Sequence, residues 1–257
     1  GNLGRLSAAS RISAEMLSFQ TGIRAPYVPA LSLHVRAVAS YAPSNAEVLL
    51  FRSSLPMLPS FRRMIKLISA EVEADGLSVP RIVLMKPGVS LSYEDIAKFR
   101  AVAILPHVPY ALRLADMYAI GSPVLVPSEP YLHKFVWPFA GPFCGRSDPP
   151  LARTVDPLVE NCSDCYRPPF SPFVFQETNL EAGEYHDERR YWLQYSEWEV
   201  RPHLVRFSSA REFLKIAALS EADALAISAQ MRQEYERVVN EGLAYWRVAV
   251  ISALSPE

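Results

Sequence analysis

The stretch "AVAILPHVPYALRLADMYAIGSPVLVPS", residues 101–128, decides how the rest of the chain is read. It opens on a continuous apolar run and passes into apolar residues at helical spacing. Gly121 then stands where a helix would stop, and "PVLVPS" is apolar again. Short continuous apolar runs are strands buried on both faces, which occur in parallel sheets covered by crossover helices. A glycine after the last periodic residue ends a helix because it alone enters the left-handed region without penalty. The stretch therefore reads as strand, helix, strand, with an acidic residue, Asp116, five positions before the glycine.

The alternation continues outward. Upstream, "EVLLF" (47–51) is a strand signal, and "SFRRMIKLISAEVEADG" (60–76) places Phe61, Ile65, Ile68 and Val72 on one helical face. "RIVLM" (81–85) is a second strand, and "LSYEDIAKFR" (91–100) opens a helix with Ser92 and Asp95 in a capping-box-like spacing. Downstream, "HLVRF" (203–207) and "SAREFLKIAAL" (209–219) supply a fifth strand and helix. The last segment starts at Ser220, with Asp223 three residues on. It sets Leu225, Met231, Tyr235, Val238 and Trp246 near one face of a long closing helix that is expected to pack back across the fold. The expectation is an α/β fold with a doubly wound, mostly parallel, Rossmann-like sheet.

Residues 7–20 read as a first helix stopped at Thr21-Gly22, and residues 23–43, with three prolines, as a linker or irregular passage. Residues 1–44 are thus expected to be the end of an upstream domain plus a linker, and residues 45–257 the Rossmann-like domain. Its closing helix spans 220–254. Residues 129–190, rich in proline and aromatics and without period, form a long irregular insertion whose aromatic content argues for a packed loop. Arg189 to Glu199, "RRYWLQYSEWE", has near-helical spacing and reads as a partly buried surface helix.

Bulk properties exclude several classes. Lys plus Arg number 26 against 27 for Asp plus Glu, with no dense basic run, so the footprint of nucleic-acid binding is missing. No apolar run reaches the roughly 18 to 20 residues that span a bilayer. The chain begins at Gly1, which suggests a fragment or processed product; an upstream anchor would place it in the Golgi or endoplasmic reticulum lumen. Of three cysteines only Cys162 and Cys165 have a suggestive spacing. Zinc there would need to recruit Cys144 and His133, and a local disulfide or free thiols are the other readings.

Open parallel sheets bind ligands beyond the carboxyl ends of their strands. That rule selects Arg52 and Ser53 after the first strand, Lys86 after the second, His107 after the third and Ser128 after the fourth. Arg52 and Lys86, at neighbouring strand ends, are candidates to hold a phosphate, with solvated surface charge as the other reading. His203 begins the fifth strand at the opposite edge and reads as structural. The chain has no Gly-x-Gly-x-x-Gly, P-loop lysine motif, Gly-x-Ser-x-Gly elbow or His-Glu-x-x-His pair.

The segment from Asp116 to Val124, "DMYAIGSPV", resembles the Glu-x-x-Ala-x-Gly-x-Pro-Val segment in the carboxy-terminal domain of GT-B glycosyltransferases. "RLAD", Arg113 to Asp116, is similar to the Arg-x-x-Asp-Ala version in exostosin-like members. The resemblance implies a donor domain for a nucleotide diphosphate sugar, with Asp116 accepting hydrogen bonds from ribose hydroxyls and no bound metal or other cofactor. Aspartate here is one methylene shorter than the family's usual glutamate. It also implies that His107 contacts the donor phosphate or sugar, that Arg113 pairs with Asp116 or reaches the diphosphate, and that the acceptor is a glycan, protein or lipid. An upstream half would supply the catalytic base. The competing expectation is a non-catalytic Rossmann-like interaction domain docking through residues 129–190; a nucleotide-sugar epimerase is a third.

Overall fold

The computed structural model describes residues 7–51, 59–76, 78–85, 90–106, 112–129, 131–132 and 186–254. Five strands form one all-parallel sheet: β1 (Val48–Leu50), β2 (Ile82–Leu84), β3 (Ala101–Ala103), β4 (Val124–Pro127) and β5 (Val205–Phe207), in the order β2-β1-β3-β4-β5. The helices are α1 (Arg11–Thr21), α2 (Leu33–Arg36), α3 (Pro59–Ala74), α4 (Tyr93–Ile96) and α5 (Leu112–Ile120), followed by α6 (His186–Leu193), α7 (Glu197–Val200), α8 (Ala210–Ala217) and α9 (Glu221–Leu254). The expected doubly wound α/β architecture is present.

Alternate residues of each strand supply two separate cores, the direct consequence of a period of two. Leu49, Phe51, Val102, Ile104, Val124 and Val126 face α2, α5, α7 and α9. Val48, Leu50, Ala101, Ala103, Leu125 and Phe207 face α3 and α8. Burying both faces explains why the strands read as unbroken apolar runs. The chain steps from β1 to β2 with α3 on one face, and from β2 through β5 in the other direction with its connecting helices on the opposite face. A constant crossover hand requires that exchange.

Local signals place the elements where the sequence reading put them. Ser10 accepts a bond from the Ser13 amide at the start of α1, and Gly22, at φ 68°, ends it. Ser92 accepts from the Asp95 amide at 3.1 Å and Ser220 from the Asp223 amide at 3.1 Å. Gly121 closes α5 at φ +80°, with its amide on the Met117 carbonyl at 2.9 Å. A Cβ there would also lie 2.7 Å from Arg232 Cγ, so Gly121 serves the close approach of α9 as well.

Two expectations need correction. The helix over residues 91–100 is a single turn, α4, which gives way to turns and bends over residues 97–100 before β3 begins at Ala101. In α9 the buried stripe runs through Ala224, Ser228, Met231, Tyr235, Val238 and Gly242. Leu225 lies beside that stripe and Trp246 beyond its end, so both are exposed. At about 1.5 Å per residue the 34-residue helix is roughly 51 Å long. It packs back across the sheet over its first two-thirds, after which Leu243, Val248, Ile251 and Leu254 stand exposed. No helix among the described residues is long and apolar enough to cross a membrane.

Residues 23–43 are irregular apart from α2. Val35, Ala39 and Tyr41 nevertheless join the core under α5, and the Tyr41 amide donates to the Ile120 carbonyl at 2.9 Å. Most of the insertion, residues 133–185, lies outside the described residues, and with it fall Cys144, Cys162, Cys165 and His133.

Candidate functional site

The strand order reverses at β1: the chain moves out to β2 and returns past β1 to β3. The crevice between the carboxyl ends of β1 and β3 is therefore the topological switch point, where ligands of open α/β sheets bind. Two of the residues selected from sequence, Arg113 and Asp116, meet close to it on the first two turns of α5. Phe51, the first residue after β1, lies under the Arg113 guanidinium at 5.4 Å from its ring centroid, and the Tyr93 ring is at 5.7 Å. The cation is thus carried between two aromatic faces, an attraction worth about 0.5–1 kcal/mol at such exposure.

Asp116 is 8 % exposed. Its Oδ1 accepts from the Ser32 hydroxyl at 2.9 Å and its Oδ2 from the Tyr93 hydroxyl at 3.0 Å. Arg113 Nη1 approaches Oδ2 at 3.5 Å. Desolvation by burial, followed by the bond to Asp116, raises the Tyr93 phenol above its usual range, so the hydroxyl stays protonated and donates. A carboxylate can accept about four such bonds. The two hydroxyls donate one to each carboxylate oxygen.

The partners of Asp116 are held from behind. Leu31, next to Ser32, takes a 2.8 Å bond on its carbonyl from the Tyr235 hydroxyl of α9, and a Cβ on Gly242 would come within 2.8 Å of its side chain. Ser32 itself adopts φ 47°, a left-handed conformation uncommon for a residue other than glycine. His34 sits edge-on to Tyr93 at 6.2 Å and 72°. Ser32, His34, Phe51 and Tyr93 escaped the sequence reading. Phe51 could have been found by the same strand-end rule that selected Arg52, whereas Ser32 and His34 carry no local signal.

Ser128 stands elsewhere along the edge, at the end of β4, where its amide donates to the Phe207 carbonyl at 2.8 Å. Its hydroxyl is buried and has no hydrogen-bond partner among the described residues. Arg52, Ser53, Lys86 and His107 lie outside the described residues. His203 occupies the turn before β5 at φ 60°. Among the described residues no three His, Cys, Asp or Glu side chains are grouped as metal ligands.

Behind this cluster α7 carries a buried ion pair, Glu197 with Arg201 at 2.8 Å. Glu197 also accepts from the Tyr27 hydroxyl at 3.0 Å, and the Arg201 guanidinium lies over the Tyr118 ring at 5.4 Å. Tyr118 belongs to α5, so the network ties the helix bearing Arg113 and Asp116 to residues 27 and 197–201. The chain matches no protein-family model, no curated protein and no solved structure.

Proposed function

We propose that the chain is the donor domain of a GT-B-like glycosyltransferase, binding a nucleotide diphosphate sugar at the β1/β3 switch point. The observation that carries this reading is the Arg113 and Asp116 pair: a cation on aromatic faces beside a carboxylate that already receives two hydroxyls. In this reading a ribose replaces the Ser32 and Tyr93 hydroxyls on Asp116. Arg113, with the amino-terminal dipole of α5, offsets the charge of the diphosphate as it becomes the leaving group. The role needs no cofactor other than the donor substrate. A glycan, protein or lipid accepts the sugar.

The alternative is a non-catalytic interaction domain with the same fold. What favours it is that both Asp116 oxygens are satisfied by the chain's own hydroxyls, an arrangement a purely structural carboxylate would also adopt. Calorimetric titration with UDP, GDP and their sugars separates the two. The donor-domain reading expects binding that Asp116→Ala abolishes; absence of binding to every one of these nucleotides would sink it.

A further inference from the structure

The last third of α9 departs from the composition of the rest. Upstream, ion pairs such as Arg237 with Glu234 and Glu241 lace the water-facing side. From Leu243 to Leu254, "LAYWRVAVISAL", Arg247 is the one charged residue. Val248, Val250 and Ile251 are β-branched and, with Trp246, rank low as helix formers. A helix end of this kind depends on packing for its order. Yet Leu243, Trp246, Val248, Val250 and Leu254 are between 45 % and 78 % exposed.

The spacing identifies what covers it. Val239, Leu243, Trp246, Val250 and Ala253 follow one another at intervals of 4, 3, 4 and 3 residues. That 3.5-residue repeat is the one two helices share when they pack along each other. The seam starts at Val239, which is buried in the core, and runs out into solvent. It is a different line from the stripe that packs on the sheet, which passes through Val238 and Gly242 and continues to the partly covered Tyr245 and Ala249.

A lipid surface does not suit this segment. Helices that lie in a membrane interface oppose a strongly charged face to the apolar one, and here there is a single cation. The segment is also only about 18 Å long, short of the roughly 30 Å of a hydrocarbon core. A charged partner would find nothing to complement beyond Arg247. A second copy of the chain offers the matching seam. Set antiparallel about a two-fold axis near Val248, Trp246 of one chain lies opposite Val250 of the other, and Leu243 opposite Ala253 and Leu254. The antiparallel sense keeps the two sheets at opposite ends of the paired segment. The seam side chains and the aliphatic stem of Arg247 would bury about 600 Å² of each chain, or roughly 1,200 Å² in all, the lower end of stable interfaces.

We propose that the chain forms a two-fold homodimer through residues 243–254 of α9, paired antiparallel along Leu243, Trp246, Val250 and Leu254. The proposal goes beyond the donor-domain reading and rests on no part of it.

Sedimentation equilibrium of the whole chain in reducing buffer, over about 1 to 200 μM, tests it. The wild-type mass rises from 28.8 kDa to twice that value, with a dissociation constant on the order of 10 μM. Trp246→Glu and Val250→Glu each weaken the dimer at least about a hundredfold, because a two-fold contact contains every substitution twice. Val248→Glu, on the opposite side of the helix, changes it less than about threefold. All three side chains are exposed, and Val250→Glu keeps the test readable should Trp246→Glu disturb the fold. A mass of 28.8 kDa throughout, which would leave the face to lipid or to another protein, overturns the proposal. So does a mass that climbs past the dimer without a plateau, a dimer unchanged in both seam variants, or an equal loss with Val248→Glu.

Discussion

Replacing Asp116 by asparagine keeps the shape of the side chain and removes its charge, which isolates the role of the carboxylate. In the native protein it accepts two hydroxyl bonds, from Ser32 at 2.9 Å and Tyr93 at 3.0 Å. A bond to a charged group contributes about 1.5–3 kcal/mol and a neutral one about 0.5–1.5 kcal/mol, so each weakens by about 1 kcal/mol. The Arg113 contact at 3.5 Å involves a guanidinium with a 44 % exposed side chain, and such pairs add only about 0–1 kcal/mol. The expected loss is therefore about 2 kcal/mol, or roughly 4–8 °C in Tm for a chain of this size. Urea denaturation of the wild type, Asp116→Asn, Tyr93→Phe and the double variant measures it, and the cycle isolates the Tyr93 coupling. A single-variant change within about 0.5 kcal/mol, the range of inconsequential surface substitutions, or strict additivity in the cycle, refutes the description of Asp116 as the acceptor that ties α4 and residue 32 to α5.

Tyr93→Phe keeps the ring beside Arg113 but removes a hydroxyl that a ribose would have to displace; UDP or GDP binding should tighten about fivefold by calorimetry, and weakening would count against displacement. Glu197→Gln leaves Arg201 buried without its charge partner, and denaturation should show a loss of about 3 kcal/mol. For Glu199 the folded protein holds its proton more tightly than the unfolded chain does, so its contribution is favourable below the ordinary carboxylate pKa and is lost as pH rises through the elevated folded value. Relative to Glu199→Gln, the wild type should lose stability as pH rises above the ordinary carboxylate value; parallel pH profiles for the two proteins would remove the basis for a carboxyl whose proton is held by burial.

The fold was legible because its signals are local. Strands buried on both faces must be apolar throughout, as in "VLL" and "VLVP", and Ser92, Gly121 and Ser220 mark helix ends through bonds to residues at most four positions away. The strand order is not local, since nothing in "RIVLM" says that it pairs with β1 rather than β3. The closing helix shows the same limit: a periodic pattern locates its apolar face but not how far along the helix that face is covered, so Trp246 falls near the apolar face by spacing and is exposed. At the site, Arg113 and Asp116 were found by their spacing on one helix. Their environment was not, because Ser32 reaches Asp116 across 84 positions and Tyr93 across 23.

The central claim is that Asp116 receives the ribose of a nucleotide at the β1/β3 switch point. A crystal structure of the chain soaked with UDP or GDP tests it most directly. The account predicts both ribose hydroxyls on the Asp116 oxygens, with the Ser32 and Tyr93 hydroxyls displaced and a phosphate on Arg113. A nucleotide bound elsewhere, or a site in which Ser32 and Tyr93 still hold Asp116 at saturating nucleotide, would contradict it.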